Sequence, residues 1–324
     1  EKVLKNNYRD NFYSEINNQE IFNYLLGLLN NEQNLLRKMS YIDDIVANYS
    51  AQSRYSDAIK FLKVQITQND KIPQYQHQLA ELYLISGRKK AANKQLDLVL
   101  TKFPEYKPSY IIKGRQLAKG KDLKNAIEFL TQALEKHSDT VELWTDFSKL
   151  YFNDKQYSMS LLTLENAVKA IPNNPFLTFE LASMYDFQGE LSKSEPLYIK
   201  ILQNYPEYLP ALDNLASNFF TLDTDLDKAT VLAKRAYLLS PNDVFIKNLR
   251  AQAHINENEH DLAIELISSV VDNFGQSGLG HFTLAKAYIE MKKNDLAKQN
   301  LTIALAKNLP ELIRKKALKL QELL

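Results

Sequence analysis

The stretch HINENEHD at 254–261 places His254, Glu257, Glu259, His260 and Asp261 within eight residues. Imidazole and carboxylate together are the donors of a zinc site. The spacing matches no strong metal motif, and the stretch spans a turn between two helical runs, where polar residues are expected. It reads as a solvated turn. The segment GQSGLGH at 275–281 has the glycines of a phosphate cradle. It lacks the Gly-Lys-Ser/Thr ending and a preceding strand, so it reads as a junction. No Gly-x-Ser-x-Gly, no recognisable pair of catalytic carboxylates and no aromatic–basic RNA motif occurs. There is no cysteine, hence no thiolate nucleophile, disulfide or Cys-ligated zinc. The sequence therefore assigns no catalytic residue, cofactor or metal, and the chain is read as not an enzyme.

With chemistry set aside, composition bounds the fold. Hydrophobic residues make up 45% of 324, enough for a sizeable core. Only 8 glycines favour helices over turn-rich sheet. Forty basic against 39 acidic residues give a net charge of +1, which supplies no global field for nucleic acid or an anionic membrane. The apolar run Ile21–Leu29 is far short of a membrane span. The chain begins at Glu1 with no charged-then-apolar leader and reads as a mature or trimmed form.

The segment LAELYLISGRKKAANKQLDLVLTKFPE at 79–105 is echoed 102 residues later by LASMYDFQGELSKSEPLYIKILQNYPE at 181–207. That offset is three times 34, and units of this length start at 39, 73, 107, 141, 175, 209, 243 and 278. In the unit at 73, Leu79, Ala80 and Tyr83 share a helical face. Gly87 breaks the run, Ala92, Leu96, Val99 and Leu100 form a second stripe, and Pro104 ends it. Each unit thus reads as two helices. A small residue recurs in every second helix: Ala58, Ala92, Ala126, Ser160, Ser194, Ala229, Ala263 and Ala297. It lets two helix backbones approach closely. The single step of 35, from Ser194 to Ala229, places one extra residue in the loop Thr221–Asp227. For the seventh unit a start at 243 sends Ile246 and Leu249 inward.

These fixed offsets of aromatic, Leu, small, Tyr, Ala and Pro resemble the tetratricopeptide repeat. The resemblance implies an all-α fold, a right-handed superhelical α-solenoid of about eight helix-turn-helix units over 39–309. Residues 310–324 are read as a C-terminal capping helix, with Leu312, Ile313, Ala317, Leu320 and Leu324 inward and Arg314, Lys315 and Lys319 outside. Residues 1–38 are read as a helical segment, either a partial repeat or a cap. Lys113, where leucine is usual, and Arg250, at a normally small position, depart from the pattern, as does Pro196 inside a second helix.

The resemblance further implies that the first helix of each unit lines a concave groove. Phe152, Phe176, Phe179, Phe187, Phe220 and Phe282 fall on its groove-facing positions, as do Glu180, Asn214 and Asn248. The phenylalanines are either groove walls for a ligand's side chains or rings buried between repeats. The asparagines either bond a ligand backbone or bond between helices. The lysine–asparagine–arginine clamp by which one subfamily holds chaperone tails is absent: its positions carry Asp43 with Ala47, and His77 with Glu81.

The expected function is a non-enzymatic scaffold or adaptor that binds a peptide or protein partner in the groove, with no nucleic acid. The chain looks most like bacterial tetratricopeptide proteins, many of which are envelope lipoproteins or parts of secretion, polysaccharide-export or protease-adaptor systems. That implies an envelope location in preference to the cytoplasm. The alternatives are a regulatory or substrate-recruiting arm of a larger enzyme, and self-assembly through repeat stacking.

Overall fold

A computed structural model of the chain describes residues 18–120 and 122–324. The expected N-terminal segment therefore lies partly outside the described residues. The chain divides into two compact units, with the division inside one helix, between Asp146 and Phe147.

In the first unit, α1 (Asn18–Asn31), α2 (Leu35–Ala51), α3 (Tyr55–Gln68), α4 (Pro73–Ile85), α5 (Lys89–Lys102), α6 (Lys107–Ala118) and α7 (Leu123–Lys136) lead into α8 (Val141–Asn153). Helix α1 lays Ile21, Leu25 and Leu29 against Ile42, Ile45 and Val46, so the first repeat's apolar face is covered.

The second unit continues α8 with α9 (Tyr157–Ala170), α10 (Pro175–Phe187), α11 (Leu191–Asn204), α12 (Leu209–Leu222), α13 (Leu226–Leu239), α14 (Val244–Asn256) and α15 (His260–Ser268). A 3-10 turn (Val271–Phe274) precedes α16 (Leu279–Glu290), α17 (Asn294–Ala306) and α18 (Glu311–Leu323). Each unit is a stack of helix pairs, an α-solenoid. Among the described residues there is no strand, and Ser277 and Asn308 form an isolated parallel bridge.

Local chemistry explains the entries. Proline stands in the first turn of α4, α6, α10 and α12, where its missing N–H is no loss. Asn34, Asp122, Asn174 and Asp243 accept backbone N–H groups at the starts of α2, α7, α10 and α14.

Between paired helices the chain needs one left-handed residue. Ser53, Gly87, Lys155, Gly189, Asn258 and Lys292 all sit there with φ of 57, 77, 61, 76, 61 and 58°. The N–H that follows reaches back to close the last turn, as Arg88 to the Tyr83 carbonyl at 2.7 Å and Lys293 to Tyr288 at 2.9 Å. Only Gly87 and Gly189 suit this conformation without a Cβ penalty. The longer loop after α12 uses two left-handed residues, Asp223 and Asp225, and so absorbs the extra residue.

The small positions are shut off from solvent: Ala58, Ala92, Ala126, Ser194, Ala229, Ala263 and Ala297 are 0% exposed, and Ser160 is 1% exposed. In the seventh repeat Ile246 and Leu249 are buried as expected. The small residue opposite Ala263 is Ala251, not Arg250, because α14 begins one residue late, at Val244. Arg250 instead pairs with Glu257 at 3.0 Å. Lys113 likewise finds a partner in Asp97 and lies over the Phe129 ring at 4.9 Å.

The C-terminal helix differs from expectation in two side chains. Ile313, Ala317, Leu320 and Leu324 do pack on Phe282, Ala285, Leu301 and Ala304. Leu312 stays exposed. Arg314 turns inward to donate to the carbonyls of Leu305 (3.1 Å) and Lys307 (2.9 Å), the otherwise open end of α17. Lys319 is exposed as expected, and with Lys316 it borders a cavity.

The turn geometry makes a stability prediction. Replacing Lys292 by glycine removes a left-handed Cβ and should stabilise the chain by about 0.5–1 kcal/mol. Replacing Gly87 by alanine should destabilise it by about 1 kcal/mol. Urea unfolding followed by circular dichroism measures both, and shifts of the opposite sign would contradict the turn assignment.

Candidate functional site

In the second unit the first helices of successive pairs, α10, α12, α14 and α16, touch side by side. Their common face and α18 enclose two hollows. The larger, about 840 Å³, is lined by Phe187, Gly189, Asn218, Leu222, Leu312 and Lys315 among others. The smaller, about 400 Å³, has Phe220, Asn248, Phe282, Lys286, Ile313 and Lys316 in its walls.

Of the candidate phenylalanines, Phe187 lines the larger hollow, and Phe220 and Phe282 line the smaller. Phe187 is 53% exposed and Phe152 is 38% exposed. Their centroids lie 5.0 Å apart at 63°, and Tyr157 completes the cluster at 5.3 and 4.9 Å. This edge-to-face arrangement fixes the rings while leaving apolar surface open. Phe176 is 39% exposed, at the start of α10. Phe179 is half-buried, 6.0 Å from Tyr198 and 5.8 Å from Tyr208, and so wedges between repeats. Phe220 and Phe282 are core rings, 4% and 7% exposed, whose remaining surface forms cavity wall. Of the six phenylalanines singled out in the sequence, Phe152, Phe176 and Phe187 offer a ring to a ligand without first opening the core.

The polar candidates are tied to the frame. Thr283 donates to the Asn248 side-chain carbonyl at 2.7 Å. Asn214 donates to the Tyr198 hydroxyl at 2.8 Å, which itself donates to Asp186 at 2.6 Å. Asn218 donates to the other Asp186 oxygen at 2.9 Å. Burial pushes the Asp186 carboxyl up, against the pull of these hydrogen bonds. Glu180 is half-buried on α10.

Charge in the smaller cavity was not legible as a set. Asp223 belongs to the loop after α12, Lys286 to α16, and Lys316 and Lys319 to α18. Asp223 contacts Lys316 and stands 3.8 Å from Lys286. Burial holds the Lys286 ammonium below the usual lysine range, with Asp223 opposing.

Donor atoms of His254, Glu257 and Glu259 all lie within 4.8 Å of one another. Glu257 is already engaged by Lys234 and by Arg250, and these cations hold its carboxyl below the ordinary range. His254 Nδ1 meets Glu259 at 2.6 Å. A cation would have to displace those partners. In the glycine-rich segment, Gly278 donates to the Asn308 carbonyl at 2.9 Å, and a Cβ on it would meet the Ala304 carbonyl oxygen at 2.4 Å. Glycine is there for close backbone packing.

Paired helices, left-handed turns and buried small residues on this period make the tetratricopeptide-repeat fold. A solved structure agrees. The chain is similar to a chain of the APC/C hetero-tetramer Cut9–Hcn1, with a TM-score of 0.52 at 14% identity, covering 90% of this chain and 57% of that one. A tetratricopeptide repeat protein from Parabacteroides merdae gives 0.48 at 15% identity, over 77% of this chain and 98% of that one. Yeast Tom70 gives 0.45 at 16% identity, over 87% and 59%. The chain thus spans less than two thirds of the Tom70 and Cut9–Hcn1 chains. Likeness at these identities concerns the fold alone. No protein-family model and no curated protein matches the sequence.

One residue on the same helix face sets a pH dependence. Burial, with Asp243 nearby, pushes Asp213 from 3.8 up to about 6. A raised carboxyl favours the folded state when protonated, so its contribution is full below 3.8 and is lost as pH rises through about 6. Asp213→Asn should therefore stabilise the chain by up to about 2 kcal/mol at pH 7.5 and by little at pH 4. Urea melts at the two pH values test this; equal gains at both would refute it.

Proposed function

We propose that this chain is a non-enzymatic protein-interaction module. It holds an extended or helical peptide of a partner protein along the inward helices of residues 147–324. The observation that carries the reading is the exposed apolar cluster of Phe152, Tyr157 and Phe187, of which Phe187 lines the larger hollow. Apolar rings held rigid beside an open hollow suit side chains of a bound peptide, since little ordering entropy remains to be lost on binding. The hollows are open to water, and most of their polar groups are engaged with one another, so the reading is binding and not catalysis. Phe176, Phe179 and Glu180 extend the proposed groove along α10, and Asn214, Phe220, Asn248 and Phe282 form its floor. The placement in a bacterial envelope, secretion, polysaccharide-export or protease-adaptor assembly rests on sequence resemblance.

The test is capture from the native organism with the wild-type chain and with the F152A/F187A variant. Both rings are exposed, so the variant should keep its helicity, and its recovered partner should bind at least tenfold more weakly, about 1.4 kcal/mol or more. Phe220→Ala serves as the contrasting change. It empties a core site and should cost about 3–5 kcal/mol of stability. Undiminished binding by a folded F152A/F187A chain would refute the groove.

A further inference from the structure

The smaller cavity joins apolar walls to an excess of positive charge. Phe220, Phe282 and Ile313 are buried rings and branches that form its sides. Its charged lining consists of Lys286, Lys316 and Lys319 against the single carboxylate of Asp223. That carboxylate is shared: it contacts Lys316 through Oδ2, and its Oδ1 lies 3.8 Å from Lys286. One carboxylate cannot satisfy two ammonium groups at full strength, and the second contact is at the limit of an ion pair. Glu290, on the same helix as Lys286, acts on it as well but does not line the cavity. Lys319 has no carboxylate within ion-pair distance among the described residues. Lys286 is the costly member. Its side chain is 27% exposed, and burial together with Lys316 weakens its proton affinity. A buried ammonium held beside a second one is relieved by an arriving anion, and an aqueous cation at the surface is not.

We propose that this cavity receives a carboxylate of the bound partner peptide, with an adjacent apolar residue of that peptide seated between Phe220, Phe282 and Ile313. The cation excess selects an anion and the apolar walls select its neighbour. About 400 Å³ suits a pair of side chains and is too small for a folded element. The carboxylate comes from an acidic side chain or from a peptide's C-terminus. Asp223 occupies part of the field that this group would enter, so it competes with the ligand. The proposal rests on the reading of the chain as a peptide binder, but it uses residues distinct from the Phe152–Phe187 cluster.

Fluorescence anisotropy with labelled peptides of one apolar core tests it on the full chain. One peptide carries glutamates and an amidated end, one carries glutamines and a free C-terminal carboxylate, and one carries glutamines and an amidated end. At least one carboxylate peptide should bind tenfold or more tightly than the neutral peptide, and the arm that does so names the source. Raising sodium chloride from about 50 to about 500 mM should erase that preference. Lys316→Gln with Lys319→Gln should weaken the carboxylate peptide at least tenfold and leave the neutral one unchanged. Asp223→Asn should tighten the carboxylate peptide several-fold, a gain that a misfolded variant would not give. Equal binding of all three peptides, or binding of none, overturns the inference. If the carboxylate preference appears but F152A/F187A weakens nothing, the inference stands and the groove reading falls.

Discussion

The contact on which the rest depends is the one between paired helices at the small residue of each second helix. From Ala58 to Ala297 this position is closed to solvent. A methyl or hydroxymethyl group is all the space holds, because interiors are packed to crystal density and a larger side chain would push the helices apart. Twelve residues earlier, on the first helix, several repeats carry a second small residue that is also closed to solvent: Ala80 before Ala92, Ala182 before Ser194 and Ala285 before Ala297. In the fourth repeat both are serines, and their hydroxyls meet at 2.9 Å, so polarity is accepted where both partners are satisfied. In the third, the first helix has Gly114 at this place, and a Cβ on it would come within 2.6 Å of Leu130.

Close pairing also dictates the turn. Two helices whose axes lie near one another leave room for only a short reversal, and one left-handed residue supplies it. That four repeats use Ser, Lys or Asn there, and two use Gly, shows that the closing hydrogen bonds enforce the conformation and glycine only eases it. The loop after α12 alone carries an additional residue. Helix α12 is a residue longer than its counterparts α4, α8 and α10, and the small position of α14 shifts to Ala251.

The candidate site is built from what this frame leaves over. Leu, Ala and Tyr at the repeat positions are consumed in packing, so they say little of ligands. The first helices keep one face free of those duties. There the side chains change from repeat to repeat: aromatic at Phe152 and Phe187, hydrogen-bonded polar at Asn214 and Asn218, cationic at Lys286. The C-terminal helix closes the last repeat's core with one face and adds lysines to the cavity with another.

The sequence by itself determined the period, the helix pairs, the small contacts and the position of the extra residue. All of these follow from interactions between residues near in the chain or one repeat away, and such interactions leave a periodic trace. It also marked which phenylalanines lie on the inward helices. Tertiary structure decided which of them are open. Phe220 and Phe152 both take the twelfth place of their units, yet one is buried and the other is exposed. Only the folded chain brings Lys316 to Asp223, 93 residues away. It also turned Arg314 from an expected surface residue into a cap on α17. A charge cluster assembled across repeats has no spacing rule to betray it, because its members are set by the packing of helices and not by the distance between them along the chain.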